Sequence, residues 1–150
     1  FRAAMKGPNG EDLPDAMLFA CTFNAVRSPM AAAIMRHLYG KHAFVDCAGV
    51  KAGELDPLAV EALSEIGIDI EGYKPKTFAQ LDDSSFDLIV SLSPEAHHKA
   101  LEFTRVMAVE AEYWPTMDPT AHEGSREQRL DAYRAVRDGL MKKIKARFAA

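Results

Sequence analysis

Cys21-Thr22-Phe23-Asn24-Ala25-Val26-Arg27-Ser28-Pro29 follows directly on a short apolar run at 17–20. A run of that kind, bounded by turn residues, reads as a buried strand, and Ser-Pro reads as the opening of a helix. The segment is then a strand-to-helix loop, a ready anion site. Its backbone N–H groups can converge, and the helix N-terminus adds the positive end of its dipole. Arg27 brings a planar fork that grips two oxygens of a phosphate. A helix N-terminus and a neighbouring cation also make a cysteine nucleophilic at neutral pH, which marks Cys21. Ser28 has two uses open to it, a hydrogen bond to Cys21 or a helix cap. Composition alone would put Arg-Ser six places after a cysteine in about 0.6% of such chains, so the spacing carries weight.

Outward from the loop, short apolar runs at 17–20, 43–48, 87–91 and 105–109 read as four strands. Helical segments lie between them. Ser28-Pro29 opens the first, with Met30, Ile34, Met35 and Leu38 on one face and Gly40 closing it. Asp56-Pro57 opens the second, which stops at Gly67, and Ser93-Pro94 opens the third, which runs to about Phe103. Ser125, with Gln128 three places on, forms a capping box for the last. There Leu130, Tyr133, Val136, Leu140, Ile144 and Phe148 recur at helical spacing. Strand and helix alternate. The expectation is an α/β single domain, a four-stranded parallel sheet with helices on both faces, over 16–150. Residues 1–15 read as a flexible arm without a signal peptide's apolar core, and the start at Phe1 as a fragment or cloning remnant.

The 150 residues are 48% hydrophobic and 27% charged, which excludes disordered and low-complexity classes. A net charge of −4 gives no footprint for a nucleic-acid binder, and no run is long enough to span a membrane. Residues 125–148 carry net +5, which reads as a solvated helix face with cations toward its C-terminal end. Two cysteines point to a reducing, cytoplasmic setting. No metal site is expected: Cys21 and Cys47 lack paired spacing, and the adjacent His97 and His98 point apart on a helix. Glycine-rich nucleotide fingerprints are absent.

The Cys21-x-x-Asn24-x-x-Arg27-Ser28 loop after the first long strand resembles the low-molecular-weight protein tyrosine phosphatases and the related thioredoxin-coupled arsenate reductases. The likeness continues through Asp46-Cys47-Ala48-Gly49, Pro57, Gly67-Ile68-Asp69-Ile70, Asp87-Leu88-Ile89-Val90 and Asp118-Pro119. It implies that Cys21 attacks phosphorus and that Thr22, Phe23, Asn24, Ala25, Val26, Arg27 and Ser28 bind the phosphate. Asp118 would be the general acid, and Asn24, Ser28 and Cys47 would support the loop. Cys47 stands where the family has serine. It is either a buried stand-in or a thiol that pairs with Cys21 on oxidation. Asp118 shows no evident structural job, because Ser125 already caps the helix that follows.

The resemblance implies a phosphatase for phosphotyrosine or another aryl phosphate, acting through a phosphocysteine without cofactor on a phosphorylated protein or a small aryl phosphate. Phe23, Tyr113 and Trp114 are candidate walls of its cleft, with Tyr73 at the edge. The alternative is arsenate reduction. The relay cysteines of the thioredoxin-coupled enzymes are missing from 91–103, and Val26 replaces a further loop cysteine, so only an external thiol could serve. A non-catalytic phosphate binder is the third reading, and it needs neither nucleophile nor acid.

Overall fold

A computed structural model describes residues 5–6, 12–81 and 85–148. Strands β3 (Ala16–Cys21), β4 (Phe44–Gly49), β5 (Leu88–Ser91) and β6 (Glu110–Tyr113) form one parallel sheet in the order β4-β3-β5-β6. Helices α1 (Arg27–Tyr39), α2 (Pro57–Ser64), α3 (Pro94–Thr104) and α4 (Arg126–Phe148) surround it. This is the α/β architecture expected. Most of the expected arm lies outside the described residues. Within it β1 (Met5–Lys6) pairs antiparallel with β2 (Asp12–Leu13), and Leu13 is buried.

Every residue of β3 is buried, because both its faces are covered. Met17, Phe19 and Cys21 join a core cluster built with α1, α2 and α4. Ala16, Leu18 and Ala20 face the other cluster, where Ala96 and Ala100 of α3 pack with Phe78 and Phe86. Right-handed crossovers leaving β3 and β5 in opposite directions put α1 and α3 on opposite faces. The strand order therefore reverses beside the carboxyl end of β3, where ligands bind in such sheets. Cys21 is the last residue of that strand.

Two boundaries differ from expectation. The fourth strand is Glu110–Tyr113, after the apolar run at 105–109. Arg105 ends α3, Val106 is exposed, and the strand itself lies at the sheet edge, where charged residues are tolerated and no apolar run is required. Helix α1 begins at Arg27, and no side chain caps it. Its N-cap is Val26, and the Ser28 hydroxyl is engaged elsewhere. Asp56, Ser93 and the Ser125–Gln128 box do cap the helices they were expected to open. Among the described residues no helix is long and apolar enough to cross a membrane.

Candidate active site

The loop after β3 is held from outside by its own carbonyls. Those of Cys21, Thr22, Phe23 and Ala25 accept from the N–H groups of Val50, Lys51, Gly53 and Asp56. What remains for the loop to offer inward is N–H. Asn24 turns it with φ 54°, a left-handed value that asparagine tolerates better than most residues. Such turns gather successive N–H groups into an anion-binding concavity. The uncapped first turn of α1 adds further unspent donors.

Gly49 closes this arrangement from the neighbouring strand. A Cβ there would lie 2.5 Å from the Lys51 carbonyl oxygen and 2.8 Å from the Asn24 nitrogen. The glycine is needed for close approach, so Gly49→Ala is expected to push the loop outward. The cost is about 1–3 kcal/mol, the usual price of overpacking. A lower denaturation midpoint together with a lower kcat on an aryl phosphate is the expected pair of readings.

At the centre, Ser28 serves Cys21 twice. Its N–H lies 3.4 Å from Cys21 Sγ and its hydroxyl 3.0 Å. The Asn24 amide N–H donates to that hydroxyl oxygen at 2.8 Å, which leaves Cys21 Sγ and, at 3.5 Å, the Ala48 carbonyl oxygen within reach of the hydroxyl proton. The Asn24 carbonyl oxygen in turn accepts from the Tyr73 hydroxyl and from the Lys76 N–H. Behind them Cys47 Sγ lies 3.1 Å from the Tyr73 oxygen. Burial pushes the Cys47 thiol up from its ordinary pKa, and burial also pushes the Tyr73 hydroxyl up. Both act as donors in one chain, Cys47 to Tyr73 to Asn24, whose amide N–H reaches the Ser28 hydroxyl beside Cys21.

The register decides between the two readings of Cys47. It pairs with Phe19, whereas Cys21 pairs with Gly49. An offset of two residues between adjacent strands puts the two Cα atoms about 8 Å apart. A disulfide needs less than about 7 Å. Pairing of Cys47 with Cys21 therefore does not fit this geometry, and both cysteines are free and buried.

Arg27 is buried at 9% exposure, and among the described residues no carboxylate pairs with it. One Nη donates to the Thr116 carbonyl at 3.0 Å. A buried guanidinium without a counter-ion is an anion site by elementary electrostatics. The Thr116 link also brings the strand-to-loop segment ahead of Asp118 against the phosphate loop. Asp118 differs from expectation, for it does have a structural job. It caps a three-residue 3₁₀ turn, Pro119–Ala121, and its Oδ1 accepts from the Thr120 N–H at 3.0 Å and the Thr120 hydroxyl at 2.7 Å. The Tyr133 hydroxyl donates to Asp56 at 2.5 Å, and its ionisation is pushed up by burial, by this bond and by the charge of Asp56. Asp56 is the residue whose N–H holds the Ala25 carbonyl.

The aromatic walls are distributed differently from expectation. Phe23 is half exposed at the loop. Trp114 is buried edge-on against Phe19 and meets solvent only at a groove shared with α4, and Tyr73 lies behind the loop with its hydroxyl on Asn24. Tyr113 stacks on His97. Thr22 Oγ1 lies 3.1 Å from both Ser93 Oγ and Glu95 Oε2 at the start of α3. The Arg27 bond to Thr116, the Thr22 contacts with Ser93 and Glu95 and the Tyr73–Asn24 bond carried no sequence signal as contacts, since each depends on tertiary placement.

A parallel sheet with a strand-to-helix loop at its switch point, a cysteine inside the loop and a buried arginine without a carboxylate partner among the described residues is the arrangement of an enzyme of oxyanion chemistry. The chain belongs to the low molecular weight phosphotyrosine protein phosphatase family, whose model matches residues 16–150. It is 34% identical over 128 residues to an arsenate reductase of Shouchella clausii, covering 85% of this chain and 90% of that protein. Among solved structures it resembles a mutant of the YwlE arginine phosphatase with a phosphorylated active-site serine (25% identity, TM-score 0.70, 87% and 91% covered). The fold is shared with the tyrosine phosphatase amsI of Erwinia amylovora (17% identity, TM-score 0.74, 93% and 96% covered).

Proposed function

We propose that the protein hydrolyses phosphate monoesters with aryl leaving groups, phosphotyrosine foremost, through a phosphocysteine. The observation that carries this reading is Cys21 Sγ held by the Ser28 N–H and hydroxyl in one loop with Arg27, which is buried and has no carboxylate partner among the described residues. Cys21 attacks phosphorus in line, and the bond from phosphorus to the leaving oxygen breaks. Asp118 gives that oxygen its proton, while Arg27 and the loop N–H groups from Thr22 to Ser28 stabilise the equatorial oxygens. Water then attacks phosphorus, Asp118 takes its proton, and the P–S bond breaks to release phosphate. Asn24, Ser28 and Cys47 keep the loop in shape. The phosphorylated serine of the YwlE mutant supports a covalent intermediate at this position. Two free cysteines agree with a cytoplasmic setting.

The arsenate reductase relatives favour a second reading, in which arsenate enters the same loop. The only other sulfur of a cysteine is Cys47, which is buried, bonded to Tyr73 and out of step with Cys21. Reduction would therefore need an external thiol. Purified protein run against para-nitrophenyl phosphate, and separately against arsenate with glutathione or thioredoxin, separates the two. The expected result is steady phosphate release, with arsenate acting as a competitive inhibitor and no arsenate-dependent thiol oxidation. Thiol oxidation that tracks arsenate, without phosphate release, overturns the proposal.

A further inference from the structure

A groove of about 680 Å³ lies between strand β6 and the C-terminal half of α4, with no residue of the 21–28 loop in its lining. Its floor is the side of Trp114, and its wall is a helical stripe of Gly139, Lys142, Lys143 and Ala146. Three features of this groove are unexplained by the fold. First, β6 is the last strand of its sheet, and among the described residues no strand pairs with its outer edge. Glu110 and Trp114 donate their N–H groups to carbonyls of the β5 side, Asp87 and Ser91. By the two-residue period of a strand, the N–H groups of Ala111 and Tyr113 face the open edge.

Second, the groove is positively charged. Glu112 is neutralised by Arg147, which binds it at 2.7 Å and holds its carboxyl below the usual range. Lys142 and Lys143 have no carboxylate partner among the described residues, and Lys143 sits 5.8 Å from the centre of the Trp114 ring. Third, Gly139 stands inside a 23-residue helix, where glycine costs about 1 kcal/mol relative to alanine. A Cβ at Gly139 would meet no atom within 4 Å. Packing within the chain does not require the glycine. Its effect is to keep the groove wall open.

We infer that this groove docks an extended acidic peptide segment of a partner protein, added as a strand to the free edge of β6 with its carboxylates on Lys142 and Lys143. Main-chain pairing supplies the register and the lysines supply the sign of the charge, as in other edge-strand recognition. The inference does not depend on which reaction the phosphate loop performs.

The test uses a blocked peptide alternating glutamate and valine, its lysine–valine counterpart, and saturating inorganic phosphate to occupy the loop. Trp114 is the single tryptophan and reports occupancy by its emission. The glutamate peptide is expected to change that emission saturably, with affinity falling as salt rises. The Lys142→Glu/Lys143→Glu variant should lose about tenfold or more in affinity, as two rim charges reversed imply. Gly139→Leu should lose binding with no fall in melting temperature, and Gly139→Ala should raise that temperature. Methylating the peptide's alternate amide nitrogens should abolish binding on one set only. Equal affinity for both peptides, or an unchanged affinity in the charge-reversed variant, overturns the inference. So does a concentration-dependent dimer that shields Trp114 and excludes the peptide, since a second copy would then be the occupant.

Discussion

Cys21→Ser is expected to abolish turnover while leaving oxyanion binding intact. The serine oxygen is a far weaker nucleophile than a thiolate, so kcat on para-nitrophenyl phosphate should fall by at least about 10⁴-fold, the scale on which nucleophile deletions act. Binding rests on other groups. Arg27 and the loop N–H groups are untouched, and the loop carbonyls stay tied to Val50, Lys51, Gly53 and Asp56. Ser28, fixed by Asn24, can hold a hydroxyl at this position as it holds the thiol. Calorimetry with vanadate or phosphate should therefore give a dissociation constant within a few-fold of the parent protein. Slow phosphorylation of the new serine is the covalent counterpart of the same expectation. Wild-type turnover in the variant sinks the mechanism. Loss of oxyanion binding together with activity would make Cys21 a structural support of the loop.

The loop was readable because its chemistry is contiguous. Cys21, Asn24, Arg27 and Ser28 fall within one turn of chain, and both flanking elements announce themselves by burial pattern and proline. The central strands β3 and β5 were readable for a related reason: buried on both faces, they must be apolar runs; β4, at the other edge, was readable by its buried Val45, Cys47 and Ala48. The edge strand β6 has no such obligation. Its Glu110-Ala111-Glu112-Tyr113 carries charge on a half-covered surface, so the apolar run before it drew the assignment.

What lies behind the loop was not readable. Tyr73 reaches Asn24 across 49 residues, and the Thr116 carbonyl reaches Arg27 across 89. Nothing local marks either residue, because each is placed by where its segment emerges from the sheet. The same holds for the cysteines. Their separation is set by a strand register, and shifting that register by two residues would have made them neighbours. A motif identifies the groups that touch a substrate; the residues that fix their geometry are distributed by the fold.

The Asp118→Asn substitution is expected to separate the proposed proton delivery from turn capping, because only one of the two carboxylate oxygens is engaged by Thr120. Oδ1 accepts both bonds from Thr120, and an asparagine carbonyl can accept them equally well. Oδ2 has no partner among the described residues and is the atom available to carry a proton. The amide replaces that oxygen with a nitrogen that cannot act as an acid, so the 3₁₀ turn should survive while catalysis does not. For an aryl phosphate with a poor leaving group, kcat should drop by about 10²–10⁴-fold, the usual worth of general acid–base catalysis. A leaving group that departs readily as an anion needs no proton, so its phosphorylation step should be nearly spared. The measurement is a burst experiment across phenyl phosphates of graded leaving-group acidity, on the parent protein and the variant. A steeper dependence on leaving-group acidity in the variant assigns Asp118 to proton transfer. Parallel lines, with every substrate slowed alike, would leave Asp118 as the cap of the 3₁₀ turn and move the acid elsewhere.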